Sequence, residues 1–375
     1  ELEFDLDVLG FDSDELKDLF GEEDESEAQK LNAGTLSDRF LLPPFSVMNA
    51  REGWWQNRKR SWLALGIRSE LGRGDNEFHA APGGSPMVAG YDKNGNRKVG
   101  LKNIGASQKE DSSKFGKCLE TGIGEKYGRE EMNATSIFDP VLCEIAYRWF
   151  SPEHGTVLDP FAGGSVRGIV ASKLKRQYIG HELRQEQVDA NRAQGSDICG
   201  DDDHPPAWVC GDSRTIDSTC KDVQADMIFS CPPYADLEVY SDDPKDLSTL
   251  GYEEFKDAYF EIIKKSCDCL KNDRFACFVV GEVRDKKGNY YDFVGDTVEA
   301  FKAAGMHYYN EAILVTAVGS LPIRAGKQFS ASRKLGKTHQ NILVFVKGDG
   351  KKAAKACGEI EIEEEILNSV SSAES

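Results

Sequence analysis

The 375-residue sequence predicts an α/β fold, in which a doubly wound sheet carries helices on both faces. From about residue 136 onward, short apolar segments alternate with segments of helical period. The apolar segments are continuous, which is typical of strands buried on both faces. A glycine-rich turn at Gly163 and Gly164 follows the first of these strands, where open α/β sheets bind their ligands.

The alternating region begins with a helix at 140–150, whose apolar residues recur at helical spacing. The last two strands, at 312–318 and 341–346, have no helix between them, so we expect them to pair antiparallel at one edge of the sheet. Between these limits the pattern predicts strands at 156–158, 177–180, 208–210, 227–230 and 275–281, and helices at 166–174, 184–193, 252–270 and 292–304.

The net charge of −18 is concentrated in two tails. Residues 1–40 hold fourteen acidic and three basic residues, and residues 358–375 hold six acidic residues and no basic one. The body of the chain is therefore close to neutral, and it can still present a basic face to nucleic acid. We predict an acidic linker at 1–40, an irregular lobe at 41–132, the α/β domain at 133–349 and an acidic tail at 350–375.

The predicted lobe is rich in Gly, Lys, Asp and Asn and has no strong period, which indicates irregular structure. Near its start, between Arg51 and Trp62, tryptophans are interleaved with arginines and a lysine. This block fits nucleic-acid contact by stacking and charge, and it fits equally well aromatic packing of the lobe onto the sheet.

Several classes of protein are excluded by composition. No stretch approaches eighteen apolar residues, and no secretory signal opens the chain, so we expect a cytoplasmic protein without a membrane span. Ten cysteines without a CxxC pair indicate reduced thiols. We predict no metal site, because no standard zinc motif has the spacing of the nearest candidates, Cys199, His204, Cys210 and Cys220.

A nucleotide-type ligand site is predicted at the glycine-rich turn. Glycines allow the backbone to approach a ligand closely, and the turn lacks the G-x-G-x-x-G spacing of dinucleotide-binding enzymes. Glu182 ends the next strand, where an acidic residue accepts hydrogen bonds from ribose hydroxyls. Asp212 ends the third strand and is suitably placed to accept from an adenine amine.

Two motifs, Asp159-Pro-Phe-Ala-Gly-Gly-Ser165 and Cys231-Pro-Pro-Tyr234, resemble those of the amino-group DNA methyltransferases, most closely the phage and prophage type. The resemblance covers about residues 133–347 and implies a Rossmann-like methyltransferase sheet with S-adenosylmethionine as cofactor. Two residues depart from the family pattern, Ser165 in place of a glycine and Cys231 in place of Asp, Asn or Ser. The implied cofactor-binding residues are Asp159, Phe161, Gly163, Gly164, Glu182 and Asp212, and the implied catalytic residues are Cys231, Pro232, Pro233 and Tyr234.

The resemblance implies methylation of the exocyclic amine of adenine or cytosine in a base flipped out of double-stranded DNA. Hydrogen-bond acceptors on the amine hydrogens would keep its lone pair available, and Tyr234 would stack on the base. Cys231 is a weak acceptor, so the carbonyls of Cys231 and Pro232 would take that role. The alternatives are thiolate attack by Cys231 for pyrimidine carbon-5 modification, a structural cysteine, RNA as substrate, or a methyltransferase-like DNA-binding module without turnover.

The segment 322–339 contains no acidic residue and is predicted to be a phosphate-contacting loop between the last two strands. Its alternative is a solvated basic hairpin. The predicted DNA-binding residues are Arg324, Lys327, Arg333, Lys334 and Lys337.

An acidic amphipathic helix is predicted within residues 1–20. It resembles the segment that follows a ParB-like domain in some fused phage methylases, which implies an upstream ParB-like domain or a protein partner. We favour a solvated tether over a docking segment.

Overall fold

The computed structural model describes residues 35–68, 138–234, 243–319, 321–360 and 362, without the side chains of residues 323 and 324. The chain forms two compact units, one of Glu1–Phe45 with Ile360–Glu363 and one of Ser46–Glu359 with Glu364–Ser375. In the first unit, helix α1 (Leu36–Phe40) begins with a capping box between Thr35 and Asp38. The predicted acidic helix and most of the predicted lobe lie outside the described residues.

The second unit is built on an eight-stranded sheet with the order β1-β7-β8-β6-β5-β2-β3-β4. All strand pairs are parallel except those of β8, which runs antiparallel to both β6 and β7. The strands are β1 (Val47–Asn49), β2 (Thr156–Asp159), β3 (Gln177–Glu182), β4 (Ala207–Cys210), β5 (Ala225–Ser230), β6 (Leu270–Val280), β7 (His307–Val315) and β8 (His339–Lys347).

The doubly wound α/β fold is confirmed, as is the antiparallel pairing of the last two strands. The sequence did not predict β1, which pairs in parallel with β7 through Met48 and Leu314 and forms the outermost strand on that side. The N-terminal part of the described chain therefore extends the central sheet.

The helices of this unit flank the sheet, and none among the described residues is long and apolar enough to cross a membrane. Helix α3 begins where predicted, because the Asp139 side chain accepts from the Val141 backbone N–H and Pro140 stands in the first turn. The helices are α2 (Gly53–Ala64), α3 (Pro140–Phe150), α4 (Val166–Lys173), α5 (Gln185–Cys199), α6 (Ile216–Thr219), α7 (Tyr252–Asp268), α8 (Phe293–Ala303), α9 (Leu321–Ser332) and α10 (Gly350–Cys357).

The central strand β5 is buried on both faces, as its continuous apolar sequence predicts. On one face Phe229 packs edge-on against Tyr147 of α3, with ring centroids 5.2 Å apart. On the other face Ile228 belongs to a core cluster with residues of α7 and α8, including Tyr259 and Phe301. Packing on both faces fixes the position of β5, and the Cys231–Tyr234 motif follows directly after this strand.

The sheet changes winding direction between β2 and β5. From β2 the chain proceeds outward through β3 to β4, and it then returns to the other side of β2 as β5 and continues to β6. Such a switch point leaves a crevice at the carboxyl ends of the two central strands, because their following segments diverge. The glycine-rich turn follows β2 and the Cys231–Tyr234 motif follows β5, so both open onto this crevice.

The predicted irregular lobe at 41–132 contains a regular part that belongs to the sheet unit. Helix α2 is fastened to α3 by the buried Glu144, whose carboxylate accepts from Arg58 at 2.5 and 2.6 Å and from the Trp62 indole N–H at 2.8 Å. Arg148 donates to the same carboxylate at 2.9 Å. The Arg51–Trp62 block thus packs against the domain through Trp62, which favours the packing interpretation for that residue.

The boundary predicted at residue 349 lies too early. Asp349 caps α10 by accepting from the Lys352 backbone N–H, and Ala353 is fully buried where the helix packs against β6 and α3. The lysines of residues 350–357 set this helix apart from the acidic run that begins at Glu359. The structured domain therefore continues through Cys357.

Replacement of Glu144 by alanine is expected to lower the free energy of unfolding by about 3–5 kcal/mol, because two guanidinium groups lose a buried carboxylate. Burial raises the pKa of Glu144, but Arg58 and Arg148 lower it, and the net pKa lies below its usual value. The stabilisation is therefore present above the pKa of an unfolded glutamate and is lost as pH falls through the lowered folded pKa.

Urea unfolding monitored by circular dichroism measures this effect. Glu153→Ala is the matched control, because Glu153 pairs with Lys175 at 2.9 Å on the surface and the pair contributes about 1 kcal/mol or less. Equal losses in the two variants would contradict the anchoring role of Glu144.

Candidate active site

Asp159 organises the turn after β2. It is fully buried, and each carboxylate oxygen accepts two hydrogen bonds. Oδ1 accepts from the Ser230 hydroxyl at 2.6 Å and from the Phe161 backbone N–H at 3.1 Å. Oδ2 accepts from Arg167 Nε at 2.6 Å and from the Tyr178 hydroxyl at 2.7 Å. One side chain thereby connects β2, β3, β5 and α4.

The partners of Asp159 in turn hold the backbone of the turn. Arg167 Nη2 donates to the carbonyls of Phe161 and Ala162 at 2.5 and 2.9 Å. Burial lowers the pKa of Arg167, but the Asp159 carboxylate raises it, and the net pKa lies above its usual value. Burial and the same carboxylate raise the pKa of Tyr178, so its hydroxyl stays protonated and donates. The turn is therefore fixed by the buried ion pair of Asp159 and Arg167.

Asp159 was predicted to contact the cofactor, and its position corrects that role. It does not line the cavity described below, and four donors already occupy its two oxygens. A buried carboxylate with this many partners gains nothing by turning toward a ligand, because each lost bond would leave a buried donor unsatisfied. Asp159 thus supports the site through Phe161 and Arg167, which do line the cavity.

Gly163 and Gly164, which were predicted to bind the cofactor, line the cavity. Gly163 has φ +52°, and a Cβ built on it would meet no atom within 4 Å. Its backbone N–H donates to Glu182 at 3.1 Å and its carbonyl accepts from the Asn191 amide at 2.7 Å. The turn thus exposes bare backbone to the cavity in a conformation that favours glycine.

Ser165, the first departure from the family pattern, has an ordinary backbone conformation with φ −73° and ψ −17°. A second glycine is not required for such angles. The Ser165 hydroxyl donates to the Gln194 side chain at 3.2 Å, and the same Gln194 oxygen accepts from the Arg68 backbone N–H at 2.8 Å. Ser165 therefore helps α5 hold the segment that follows α2.

Glu182 ends β3, as predicted, and it lines the cavity. It accepts from the backbone N–H groups of Gly163 and Arg184, at 3.1 and 2.9 Å. Burial raises the pKa of Glu182, although these N–H donors and the Arg184 guanidinium lower it in part. The carboxylate is thus oriented between the glycine-rich turn and α5.

Asp212 also lines the cavity, beyond the end of β4. Its carboxylate caps the 3₁₀ turn Ser213–Thr215 and pairs with Arg214 at 2.7 Å. Burial raises the pKa of Asp212, and Arg214 lowers it more strongly, so the net pKa lies below its usual value. The side chain is ionised and partly engaged by its neighbour.

The Cys231–Tyr234 motif continues from β5 into the same cavity, which all four residues line. The Cys231 sulfur lies 4.0 Å from the Tyr234 hydroxyl oxygen, and both residues are half-buried. The Tyr234 ring packs edge-on against Phe293, with centroids 6.1 Å apart, and its hydroxyl accepts from the Gln340 amide at 3.4 Å. The aromatic ring of the motif is thus held in place by α8 and β8.

A cavity of about 440 Å³ joins the two motifs. At one end lie Glu182 and Asp212, and at the other lie Gln340, Thr316 and Ala317, which follow or open the last two strands. Its volume falls in the range of small-molecule sites. The cavity therefore runs along the carboxyl edge of the parallel strands, with the glycine-rich turn and the Cys231 motif between its ends.

Residues of the N-terminal segment complete the cavity wall. Ala50, Gln56 and Lys59 line it, and Lys59 Nζ donates to Asp139 at 3.1 Å. Neither Gln56 nor Ala50 belongs to a motif, so the sequence alone does not predict their place at the cavity. A predicted strand just before α2 would have indicated their position, because β1 pairs with β7 and thereby brings α2 to the carboxyl edge of the sheet.

The basic segment is mainly helical, which corrects the prediction of a loop. Helix α9 carries Lys327 on an exposed surface, and Arg333 and Lys334 follow its end. The Arg324 side chain lies outside the described part of the structure. Lys337 differs from the others, because its amine is buried beside Gly281.

The four residues considered for zinc binding do not converge. Cys199 is buried, Cys210 donates to the Leu183 carbonyl, and His204 contacts His154 at 2.9 Å. Cys220 lies 3.3 Å from His181 Nε2, and burial lowers the pKa of His181 to about 4. Within the described ranges no group of three or more His, Cys, Asp or Glu residues could hold a metal ion.

The N6/N4 methyltransferase family model, described as DNA methylase, matches residues 81–193. This stretch includes the Asp159–Ser165 turn and Glu182, and it confirms the resemblance that these residues indicated. The phage type and the fusion to a ParB-like domain stay predictions. No curated protein matches the chain.

Solved structures similar to the chain include several methyltransferases. The crystal structure of TrmN from Thermus thermophilus has 14% identity and a TM-score of 0.37, over 56% of this chain and 48% of that one. The chain thus spans about half the length of TrmN. A putative rRNA methylase from Clostridium thermocellum has 11% identity and a TM-score of 0.37, over 57% of this chain and 100% of that one.

Replacement of Asp159 by asparagine is expected to destabilise the protein by about 3–5 kcal/mol, because Arg167 loses a buried ionised partner. If the amide oxygen keeps Arg167 and Tyr178, the amide nitrogen faces the Phe161 N–H, and two donors then oppose each other. The turn should shift, so both the free energy of unfolding and the affinity of the cavity for its ligand should fall. Thermal unfolding and calorimetric ligand titration measure both.

Ser230→Ala is the milder companion variant, because it removes a single hydrogen bond to the Asp159 carboxylate, worth about 1.5–3 kcal/mol. An Asp159→Asn protein as stable as the wild type would contradict the role assigned to this carboxylate.

Proposed function

We propose that this chain, whose residues 81–193 match the DNA methylase family, transfers a methyl group from S-adenosylmethionine to an exocyclic amine of adenine or cytosine in DNA. The single observation that carries the proposal is the shared cavity. The glycine-rich turn after β2 and the Cys231–Tyr234 motif after β5 line one continuous space at the switch point of the sheet.

The residues around the glycine-rich turn fit the cofactor. Gly163 leaves open space in front of bare backbone, as a close ligand contact requires. Glu182 would accept from the ribose hydroxyls, and the ionised Asp212 would accept from the adenine amine. When bound, S-adenosylmethionine supplies the methyl group as an electrophilic carbon on a sulfonium.

The Cys231–Tyr234 motif would bind the target base. Pro232 and Pro233 donate no backbone hydrogen bond, so carbonyls in this segment can accept from the amine hydrogens and keep the nitrogen lone pair available. The Tyr234 ring, fixed by Phe293 and Gln340, offers a stacking surface. Extraction of the base from the duplex would precede its entry into the cavity.

Contact with the DNA backbone is proposed for the basic segment at α9. Lys327, Arg333 and Lys334 form no ion pair with any residue that the structure describes, so their charges are available to phosphates. Arg324 belongs to the same basic segment, and we propose it as a further phosphate contact.

Incubation of the protein with tritiated S-adenosylmethionine and either DNA or RNA tests the proposal. Incorporation of label into DNA is expected. Measurable cofactor binding without transfer to either nucleic acid would indicate a binding module and not an enzyme. Transfer to RNA alone would show that the substrate is RNA and not DNA.

Glu182→Gln is expected to weaken cofactor binding about ten- to hundredfold, corresponding to ~1.5–3 kcal/mol for hydrogen bonds to a charged group. Because the ionised form accepts from ribose, wild-type affinity should be highest above the raised pKa of Glu182 and decline as pH falls through it. Calorimetric titrations between acid and neutral pH measure this decline. An equal pH dependence in Glu182→Gln would assign the titration to another group.

Cys231→Ser separates amine methylation from the covalent carbon-5 alternative. The Cys231 sulfur lies in the cavity, so a nucleophilic role has a structural basis. Transfer to an exocyclic amine needs no thiolate, and the serine hydroxyl is itself an acceptor, so this variant is expected to remain active in the tritium assay. Complete loss of transfer in a folded variant with intact cofactor binding would favour the covalent mechanism.

A further inference from the structure

The amine of Lys337 is buried, and it forms no hydrogen bond with any described residue. It also lies more than 4 Å from every described carboxylate, since no ion pair involves it. Buried donors without partners are rare in folded proteins and call for a specific explanation. Lys327 and Arg333 of the same basic run are exposed, so membership of this run does not by itself explain the buried position of the Lys337 amine.

The neighbours of Lys337 connect its amine to the catalytic motif. Gly281 follows the end of β6, and a Cβ at this position would lie 3.0 Å from Lys337 Nζ and 3.6 Å from Tyr234 Cε1. Because Gly281 has no side chain, the Lys337 amine can occupy this space near the Tyr234 ring. Three residues further along, Gln340 donates to the Tyr234 hydroxyl and lines the cavity.

The surroundings of the amine are arranged for a polar ligand. Burial lowers the pKa of Lys337, Glu282 raises it and Arg284 lowers it, with a net decrease. Glu282 Oε2 is also buried and without a hydrogen-bond partner among the described residues. A buried donor and a buried acceptor thus remain without hydrogen-bond partners among the described residues, and both could bond to a ligand that reaches them.

We propose that Lys337 donates a hydrogen bond to the target base at Tyr234 and does not contact the phosphate backbone. The proposal rests on the proposed function. A base edge offers ring nitrogens and carbonyl oxygens, which are the acceptors that an amine recognises. Gln340, on the same chain segment, donates to the Tyr234 hydroxyl and so holds the ring near this amine.

Lys337→Met tests the inference, because methionine fills a similar volume without a donor. Removal of a buried, unpartnered amine should leave the melting temperature unchanged or raise it. Affinity for S-adenosylhomocysteine, measured by calorimetry, should not change. The kcat/KM for methyl transfer to DNA should fall about tenfold or more, because a contact to the base is lost.

The salt dependence of duplex binding separates a base contact from a phosphate contact. Loss of one phosphate contact reduces the slope of log K against log salt by about 0.9. Lys327→Met, on the exposed face of α9, should show this reduction, whereas Lys337→Met should keep the wild-type slope. Lys355→Met, exposed on α10, which packs against β6 and α3, is the control for loss of a positive charge elsewhere on the surface.

Wild-type transfer rates in Lys337→Met, or a salt slope reduced as in Lys327→Met, would overturn the inference. If Lys337→Met does not fold, Lys337→Gln takes its place, and a wild-type slope supports the inference whereas a reduced slope overturns it. If the wild-type protein transfers no methyl group to DNA or RNA, the proposed function fails and this inference falls with it. If the wild-type protein is active but Lys337→Met behaves as described above, only the inference about Lys337 fails.

Discussion

The ion pair between Asp159 and Arg167 is the interaction on which the site depends. Its two charges are buried together, and such a pair is stable only if further hydrogen bonds satisfy both groups. Ser230, Tyr178 and the Phe161 N–H satisfy the carboxylate, and the carbonyls of Phe161 and Ala162 satisfy the guanidinium. These hydrogen bonds fix the backbone of the turn at Phe161 and Ala162.

This constraint also connects the two motifs. Ser230 is the last residue of β5 and immediately precedes Cys231, so the carboxylate that fixes the glycine-rich turn also fixes the strand end that carries the Cys231–Tyr234 motif. The relative position of cofactor and target base would thus be set by one side chain. Positioning of this kind supplies much of the rate enhancement in transfer reactions between two bound reactants.

The sheet could be predicted from sequence because its strands are continuous apolar runs and its glycine-rich turn follows the first of them. Strand β1 could not, because three residues are too short to show a period, and its pairing with β7 is a tertiary contact. Gly326 and the serines of helix α9 predict a loop, yet Pro322 stands in the first turn of the helix, where proline is tolerated. Local propensity was overridden there by the surrounding structure.

The positions of Glu182 and Gly163 at the carboxyl ends of neighbouring strands could also be predicted, because the apolar runs that precede them mark where those strands end. The supporting role of Asp159 could not, because its partners Tyr178 and Ser230 lie 19 and 71 residues away and only the folded sheet brings them together. The same holds for Lys337. A basic run predicts phosphate contact, and only the approach to Gly281 and Tyr234 distinguishes one lysine from its neighbours.

If one cavity brings a methyl donor to an exocyclic amine, methyl-deuterated S-adenosylmethionine should label that amine in DNA. Mass spectrometry of nucleosides from DNA treated with the protein and this cofactor should then detect deuterated N6-methyldeoxyadenosine or N4-methyldeoxycytidine. Label in 5-methyldeoxycytidine, or in no nucleoside of DNA incubated with cofactor-bound protein, would rule out amine methylation in this cavity.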